Sequence, residues 1–177
     1  MIGTSVRGID HIGLTVEDIA AAERFLVQGL GAEFLYEVIN ESDPPFAGAD
    51  VERALRLPPG ATVNLIRMYK VRFGPGIELF QYTATARRLA LRGCDIGWQH
   101  VALYVDDIEA AVERCVTAGG ELLSVPWDLT RAESGEGNRC CFLSAPFGAL
   151  VELITFPTSQ PYETTTKLRR WKPPNDP

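Results

Sequence analysis

Two tandem βαβββ modules of an α+β protein, forming curved mixed sheets around a metal-binding cavity with the helices outside, are what this sequence predicts. Three observations carry that expectation. HIGLTVEDIAAA from His11 and HVALYVDDIEAA from His100 coincide at His, Leu, Val, Asp, Ile and two Ala. FGPGIEL from Phe73 and FGALVEL from Phe147 coincide at Phe, Gly, Glu and Leu. Each repeated opening alternates apolar and polar residues like a strand and then shifts to helical spacing, the signature of a supersecondary unit used twice.

In the first module Ile9 to Val16 reads as a strand, with His11, Gly13 and Thr15 on one face and Ile12, Leu14 and Val16 on the other. Asp18 suits an N-cap, and Ile19, Ala22, Phe25 and Leu26 recur at helical spacing before Gly29 and Gly31 stop the element. Strands follow at Glu33 to Val38, Ala61 to Lys70 and Ile77 to Tyr82. The insertion at about 38–60 begins polar and turn-rich, has a short helical stretch near Asp50 to Leu57, and is long enough to fold over a cavity as a lid.

The second module repeats the order. A strand at Gly97 to Val105 leads to a helix capped by Asp106 or Asp107, with Ile108, Ala111, Val112, Cys115 and Val116 on one side and Gly119-Gly120 as its stop. Strands are expected at Glu121 to Val125, Arg139 to Ser144 and Ala149 to Phe156. The domain reading is a first module over 1–82, a linker over 83–96 with a helix at 85–92, a second module over 97–156, and a Pro-rich tail over 157–177 lying along a surface.

Bulk composition bounds the function. A chain of 177 residues that is 46% hydrophobic can fill a core, and a net charge of −6 gives no basic footprint for nucleic acid. No apolar run reaches the length of a membrane span, and the N-terminus lacks the charged-then-apolar order of a signal peptide, so a cytoplasmic location is expected. Cys140 and Cys141 are strand neighbours pointing to opposite faces, and the four cysteines read as reduced thiols. They lack CxxC spacing, and the Gly-rich stretches GPG and GEG lack a following helix, so neither reads as a metal or phosphate motif.

Strand parity then selects the candidate site. If Ile12, Leu14, Val16 and Val101, Leu103, Val105 face the helical layer, His11 and His100 face away from it. Glu78, between Ile77 and Leu79, and Glu152, between Val151 and Leu153, can do the same. A lone histidine on a strand is more often a hydrogen-bonded structural residue, and a lone glutamate is usually solvated. Four of them in repeat-matched places are harder to explain that way, because a carboxylate among apolar neighbours needs a compensating charge. Two imidazoles and two carboxylates suit a divalent metal ion, Zn, Ni, Mn or Fe, with coordination positions left open. Phe80, Tyr82 and Tyr104 follow on the same faces and would line a substrate pocket, or simply fill core. Arg67, Arg72 and Arg139 could hold an anionic substrate, with surface solvation the better default.

With IDHIGLTVEDI and WQHVALYVDDIEAAV opening the modules and GPGIELFQY and APFGALVELITF closing them, the chain resembles the vicinal oxygen chelate superfamily over about residues 7–156. That superfamily includes glyoxalase I, methylmalonyl-CoA epimerase, extradiol dioxygenases, fosfomycin-resistance enzymes and bleomycin-binding proteins. The resemblance implies metal ligands at His11, Glu78, His100 and Glu152. The epimerases carry Gln where this chain has Glu78, and bleomycin-binding relatives generally lack the ligands. The turn Ala145-Pro146-Phe147-Gly148 departs from the usual Asp-Pro-x-Gly, and basic residues that hold glutathione in glyoxalase I have no counterpart here. What the resemblance implies is a glyoxalase-like, metal-dependent lyase or isomerase. It would move a proton next to a carbonyl of a small chelating substrate, with Glu152 as general base and Glu78 its counterpart. Fe(II) ring-cleaving dioxygenase, acyl-CoA epimerase and non-catalytic small-molecule binding are the alternatives. A homodimer is expected, since paired modules leave sheet edges for a partner to cover.

Overall fold

The computed structural model describes residues 7–174; residues 1–6 and 175–177, at the outer ends of the expected first module and tail, lie outside them. The strands of the two modules form two separate mixed sheets. By compactness the chain divides into one unit made of the described residues up to Ile19 with Gly31–Arg87, and a second made of Ala20–Leu30 with the described residues from Arg88 onward.

In the first unit the order is β1 (His11–Thr15), β2 (Glu33–Ile39), α2 (Ala49–Leu55), β3 (Thr62–Lys70) and β4 (Gly76–Thr83), α1 being the intervening helix described with the other unit. The sheet order is β1-β4-β3-β2. The first and last strands are therefore neighbours, paired parallel with His11 opposite Gly76 and Gly13 opposite Glu78. Gly76 is required by close approach: a Cβ there would sit 3.0 Å from Met68 Sδ and 3.2 Å from the Tyr69 carbonyl. The insertion contributes α2, and its Val51 and Leu57 pack with Phe80 and Tyr82 on the cluster of Ile39, Val63 and Ile66. On the opposite face of β4, Ile77 and Leu79 are buried, as is Tyr69 on β3.

The second unit contains α1 (Ile19–Arg24, from Ala20 on), β5 (His100–Tyr104), α3 (Ile108–Thr117), β6 (Glu121–Leu122), β7 (Trp127–Asp128), β8 (Arg139–Ser144) and β9 (Leu150–Thr155). The order β5-β9-β8-β6 again places first and last strands side by side in parallel, with Ala102 opposite Glu152. Asp107 caps α3, its Oδ1 accepting from the Ala110 amide at 2.9 Å. The apolar stripe Ile108, Ala111 and Cys115 buries against Cys141, Leu143, Val151 and Leu153, with Val101 and Leu103 packed alongside. Those are the odd-numbered residues of the sheet, so the helical layer lies where strand parity requires. Fully burying each large aliphatic or aromatic side chain here contributes about 1.5–3 kcal/mol.

The first module's helix joins the same core. After α1 the chain passes through one π-helical turn, Phe25–Gly29, where the Leu30 amide reaches back to the Phe25 carbonyl at 3.1 Å. Phe25 is completely buried and meets Phe147 edge-on at 5.9 Å.

Two local expectations are corrected. The strand expected at Glu121 to Val125 is shortened to β6, and β7 lies beyond it; the two pair with opposite ends of β8. Pro126 has no amide to give to the ladder, and Ser124 Oγ takes the Phe142 amide instead. The helix expected at 85–92 is irregular chain. Leu89 is almost fully exposed, so a helix there has no apolar face to bury, while Arg87 is tied to the Tyr82 carbonyl and to Glu17.

The tail lies on the second unit. Pro161–Thr164 forms a 3-10 turn whose capping box pairs Gln160 with Glu163, and Lys172 Nζ donates to the Phe156 carbonyl at 3.1 Å.

Candidate functional site

Each unit brings one histidine against one glutamate. His11 Nε2 stands 3.3 Å from Glu78 Oε2, and His100 Nε2 stands 3.3 Å from Glu152 Oε2. The geometry is the same in both for the same reason. In each parallel pair the histidine lies two residues before the position opposite the glutamate, a diagonal relation on one face of the sheet. The position directly opposite is Gly13 in one unit and Ala102 in the other, so no bulky side chain stands between imidazole and carboxylate. This repeated small residue is legible in the sequence once the register is known.

The carboxylates are sheltered, with side-chain exposures of 17% for Glu78 and 14% for Glu152, while His11 and His100 are 40% and 30% exposed. Each pair is thus open at the imidazole and closed at the carboxylate. Sequence reasoning missed Asp10, whose Oδ2 lies 2.8 Å from His11 Nδ1. That contact holds the ring with Nε2 toward Glu78. The Asp10 hydrogen bond raises the His11 pKa, opposed by burial and helped by the charges of Glu78 and Asp10. His100 has Gln99 before it instead of an acid, and its ring is held edge-on to Phe142 at 5.5 Å, with Trp127 stacked on Phe142 at 5.8 Å.

Cys140 is a second residue the sequence did not single out for this place. It lies on the Glu152 side of the sheet, and burial, then the charge and hydrogen bonding of Glu152, push its thiol up to about 12. A neutral thiol can only donate to that carboxylate. Tyr82 feels Glu78 similarly: burial first, then that negative charge, raises its phenol pKa. Phe80 and Tyr82 stack at 5.7 Å beyond Glu78, and Tyr104 meets Phe156 edge-on at 4.9 Å beyond His100.

The three arginines considered for substrate binding have partners of their own. Arg67 Nε lies 2.6 Å from Glu37, Arg139 binds Glu109, and Arg72 sits over the Phe73 ring at 5.5 Å.

The donor set can be tested against a divalent ion. Two ligands at right angles on bonds of 2.0–2.2 Å stand roughly 3 Å apart, close to the observed imidazole–carboxylate spacing. The Asp10 contact is the carboxylate support that metal-bound histidines commonly have. In chemistry and spacing each pair fits two neighbouring ligands. Among the described residues no group of three or more His, Cys, Asp or Glu is gathered that could hold a metal ion, so the structure brings the four predicted ligands together two by two.

Known proteins were compared with the chain. The model of the Glyoxalase/Bleomycin resistance protein/Dioxygenase superfamily matches residues 10–142. A 2-epi-5-epi-valiolone epimerase from an Actinomyces species is 32% identical over 180 residues, spanning 98% of this chain and 94% of that protein. Among solved structures, a glyoxalase family protein from Bacillus cereus superimposes with a TM-score of 0.66 at 21% identity, covering 88% of this chain and 97% of its own. The fosfomycin resistance protein FosX from Listeria monocytogenes, complexed with Mn(II) and 1S,2S-dihydroxypropylphosphonic acid, gives 0.57 at 16% identity, covering 91% and 99%.

Proposed function

The chain belongs to the Glyoxalase/Bleomycin resistance protein/Dioxygenase superfamily, and from that premise we propose that it is a divalent-metal-dependent isomerase, an epimerase acting at a carbon next to a carbonyl. The observation that carries the reading is the duplicated His–Glu pair with a sheltered carboxylate, in a chain 32% identical to an epimerase. In this reading His11, Glu78, His100 and Glu152 hold the ion, and the substrate is a small ketone of the kind that relative's name specifies, 2-epi-5-epi-valiolone. When bound, the ion would supply Lewis acidity that stabilises negative charge developing on the carbonyl oxygen.

The chain's own residues do the rest. Glu152 takes the proton from the carbon beside the carbonyl, and Glu78 is the carboxylate available on the other side, so a proton removed by one and returned by the other inverts that carbon. The Cys140 thiol steadies Glu152 by donating to it. Phe80, Tyr82 and Tyr104 line the substrate space, and Phe142, backed by Trp127, holds the His100 ring edge-on.

The test is solvent exchange. Purified protein loaded with Mn(II), Zn(II), Ni(II) or Fe(II) is given 2-epi-5-epi-valiolone in D2O, and the position next to the carbonyl is followed by proton NMR. Epimerisation with deuterium uptake at that carbon is expected, falling about 10²–10⁴-fold in Glu152→Gln. Turnover without deuterium uptake, or oxygen consumption with a catechol instead, would overturn the reaction class.

We also propose a cytoplasmic homodimer. The support is β2, outermost in its sheet, which leaves Phe34, Leu35, Tyr36 and Val38 each about half exposed. A monomeric mass in light scattering would refute the dimer. Among the described residues no helix is long and apolar enough to cross a membrane.

A further inference from the structure

A second charged site lies in the other part of the second unit, where the C-terminal segment folds onto the loop between β7 and β8. The chain carries a net charge of −6, yet from Pro157 to Pro174 it holds four basic residues, Lys167, Arg169, Arg170 and Lys172, against Glu163 alone. Two cavities occur there. One of about 300 Å³ is lined by Phe156, Thr158, Ser159, Tyr162, Arg170 and Lys172, among others. The other, about 560 Å³, shares Tyr162 and Arg170 with it and adds Thr130, Arg131, Ala132 and Glu133.

Carboxylates account for only part of this positive charge. Arg170 Nη1 pairs with Glu133 at 2.5 Å and Arg169 Nε with Glu163 at 3.4 Å. Among the described residues Lys172 and Arg131 have no carboxylate within ion-pair distance. Lys172 is nonetheless held in place: its Nζ donates to the Phe156 carbonyl at 3.1 Å and lies 5.7 Å and 6.0 Å from the centres of the Phe156 and Tyr104 rings. Arg131 is held at a φ of 55°, a left-handed backbone conformation unfavourable for its side chain. Tyr162 Oη accepts from the Arg170 amide at 2.9 Å, leaving its own O–H to donate into the cavity.

Cations, a phenol, hydroxyls and an apolar ring line these two adjoining cavities, donors of the kind that bind a tetrahedral oxyanion on a small organic ligand. We propose that these joined cavities bind a phosphate group, with Lys172, Arg170 and Arg131 as its cationic contacts. The phosphate is either the far end of a phosphorylated relative of the proposed substrate, an alternative that rests on the metal-site reading above, or part of a separate ligand. Tyr104 is four residues beyond His100 on the same face of β5, roughly 13 Å along the strand, so one extended molecule could span both places.

Thermal unfolding of the full chain, treated with EDTA and titrated with inorganic phosphate against chloride at matched ionic strength, tests the site whether or not the metal reading holds. A saturable rise in Tm is expected. Lys172→Gln and Arg131→Gln should each weaken the apparent affinity about tenfold, with Lys172→Arg close to wild type. Far-UV circular dichroism in chloride confirms that each variant is folded. A rise that does not saturate, or that is the same in both Gln variants, overturns the proposal. A second arm separates the sources: in protein shown to have bound Mn(II), broadening of the bound phosphate's 31P resonance supports a shared substrate path, and an unbroadened resonance supports a separate ligand.

Discussion

His100 and Glu152 are diagonal neighbours across the parallel β5–β9 pair, Nε2 to Oε2 at 3.3 Å, and the residue standing opposite the glutamate is Ala102. His11 and Glu78 repeat the arrangement with Gly13 in that place. A side chain grown from Ala102 would enter the space in which imidazole and carboxylate meet. Ala102→Leu is expected to weaken Mn(II) affinity at least about tenfold, measured by calorimetric titration, because the two ligands can no longer adopt a common geometry. Ala102→Gly, which matches the other unit, should leave it near wild type. Equal affinity in the Leu variant would separate this pair from metal binding.

Asp10 provides a finer test, because it touches the imidazole and not the carboxylate. With Nδ1 held by Asp10 at 2.8 Å, Nε2 is directed at Glu78. Asp10→Asn keeps the shape and removes the charge, and a 10–100-fold loss of metal affinity is expected. The corresponding change Gln99→Asn should have no such effect, since His100 is positioned by Phe142 instead. Metal content after dialysis, compared between the two variants, checks both statements.

How far these features were legible in the sequence follows from what fixes each of them. In the second unit parity suffices to put His100 and Glu152 away from the helical layer, because a two-residue period leaves one choice per strand once the apolar face is known; in the first unit α2 packs with Phe80 and Tyr82, on the face of β4 that carries Glu78. The pairing of first with last strands was left open by the sequence and is settled by the sheet order. Asp10 was not legible, because its contact depends on a side-chain torsion that no spacing rule reports. Cys140 was dismissed for lacking CxxC spacing, a test for metal motifs that says nothing about a thiol beside a carboxylate. The expected strand ends early, at Leu122, and the irregular 85–92 segment has Leu89 and Leu91 exposed, helix-forming residues with no core to pack against.

Packing in the second unit is tight where the two helices meet the turn after α3. A Cβ placed on Gly120 would lie 2.8 Å from Phe25 Cε2 and 3.0 Å from the Cys115 carbonyl oxygen. One neighbour is a buried ring and the other is helix backbone, so neither yields cheaply. Gly120→Ala is expected to cost about 1–3 kcal/mol by overpacking, and Phe25→Ala about 3–5 kcal/mol by leaving a cavity among Ile108, Cys115 and Leu143. Urea denaturation curves give both values. Because the two residues touch, the double variant should cost less than the sum, the alanine at 120 occupying part of the space the ring vacates.

The thiols give a prediction with a defined pH window. Cys94 is exposed, while Cys115, Cys140 and Cys141 are buried and all four are free. A disulfide reagent should therefore react quickly with one thiol in the native protein and with the remaining three only after unfolding. Cys115 contributes to the alkaline behaviour together with Cys141 and Cys140, whose thiols burial likewise pushes up, to about 11 and about 12. Burial, offset in part by the Arg114 charge and aided by Cys141, lifts the Cys115 thiol from 9.0 to about 11. Below pH 9 the group is protonated in both folded and unfolded chains and its contribution to stability is fully present. Between about 9 and 11 the unfolded chain releases the proton and the folded chain keeps it, so stability falls as pH rises through that interval. Cys115→Ala loses the sulfur's packing and its contact with the Gly29 carbonyl at 3.5 Å, and so starts less stable. Its unfolding free energy should nevertheless decline less steeply than wild type across the same interval. Parallel slopes in denaturation series from pH 8 to pH 11 would show that the alkaline loss arises from other groups.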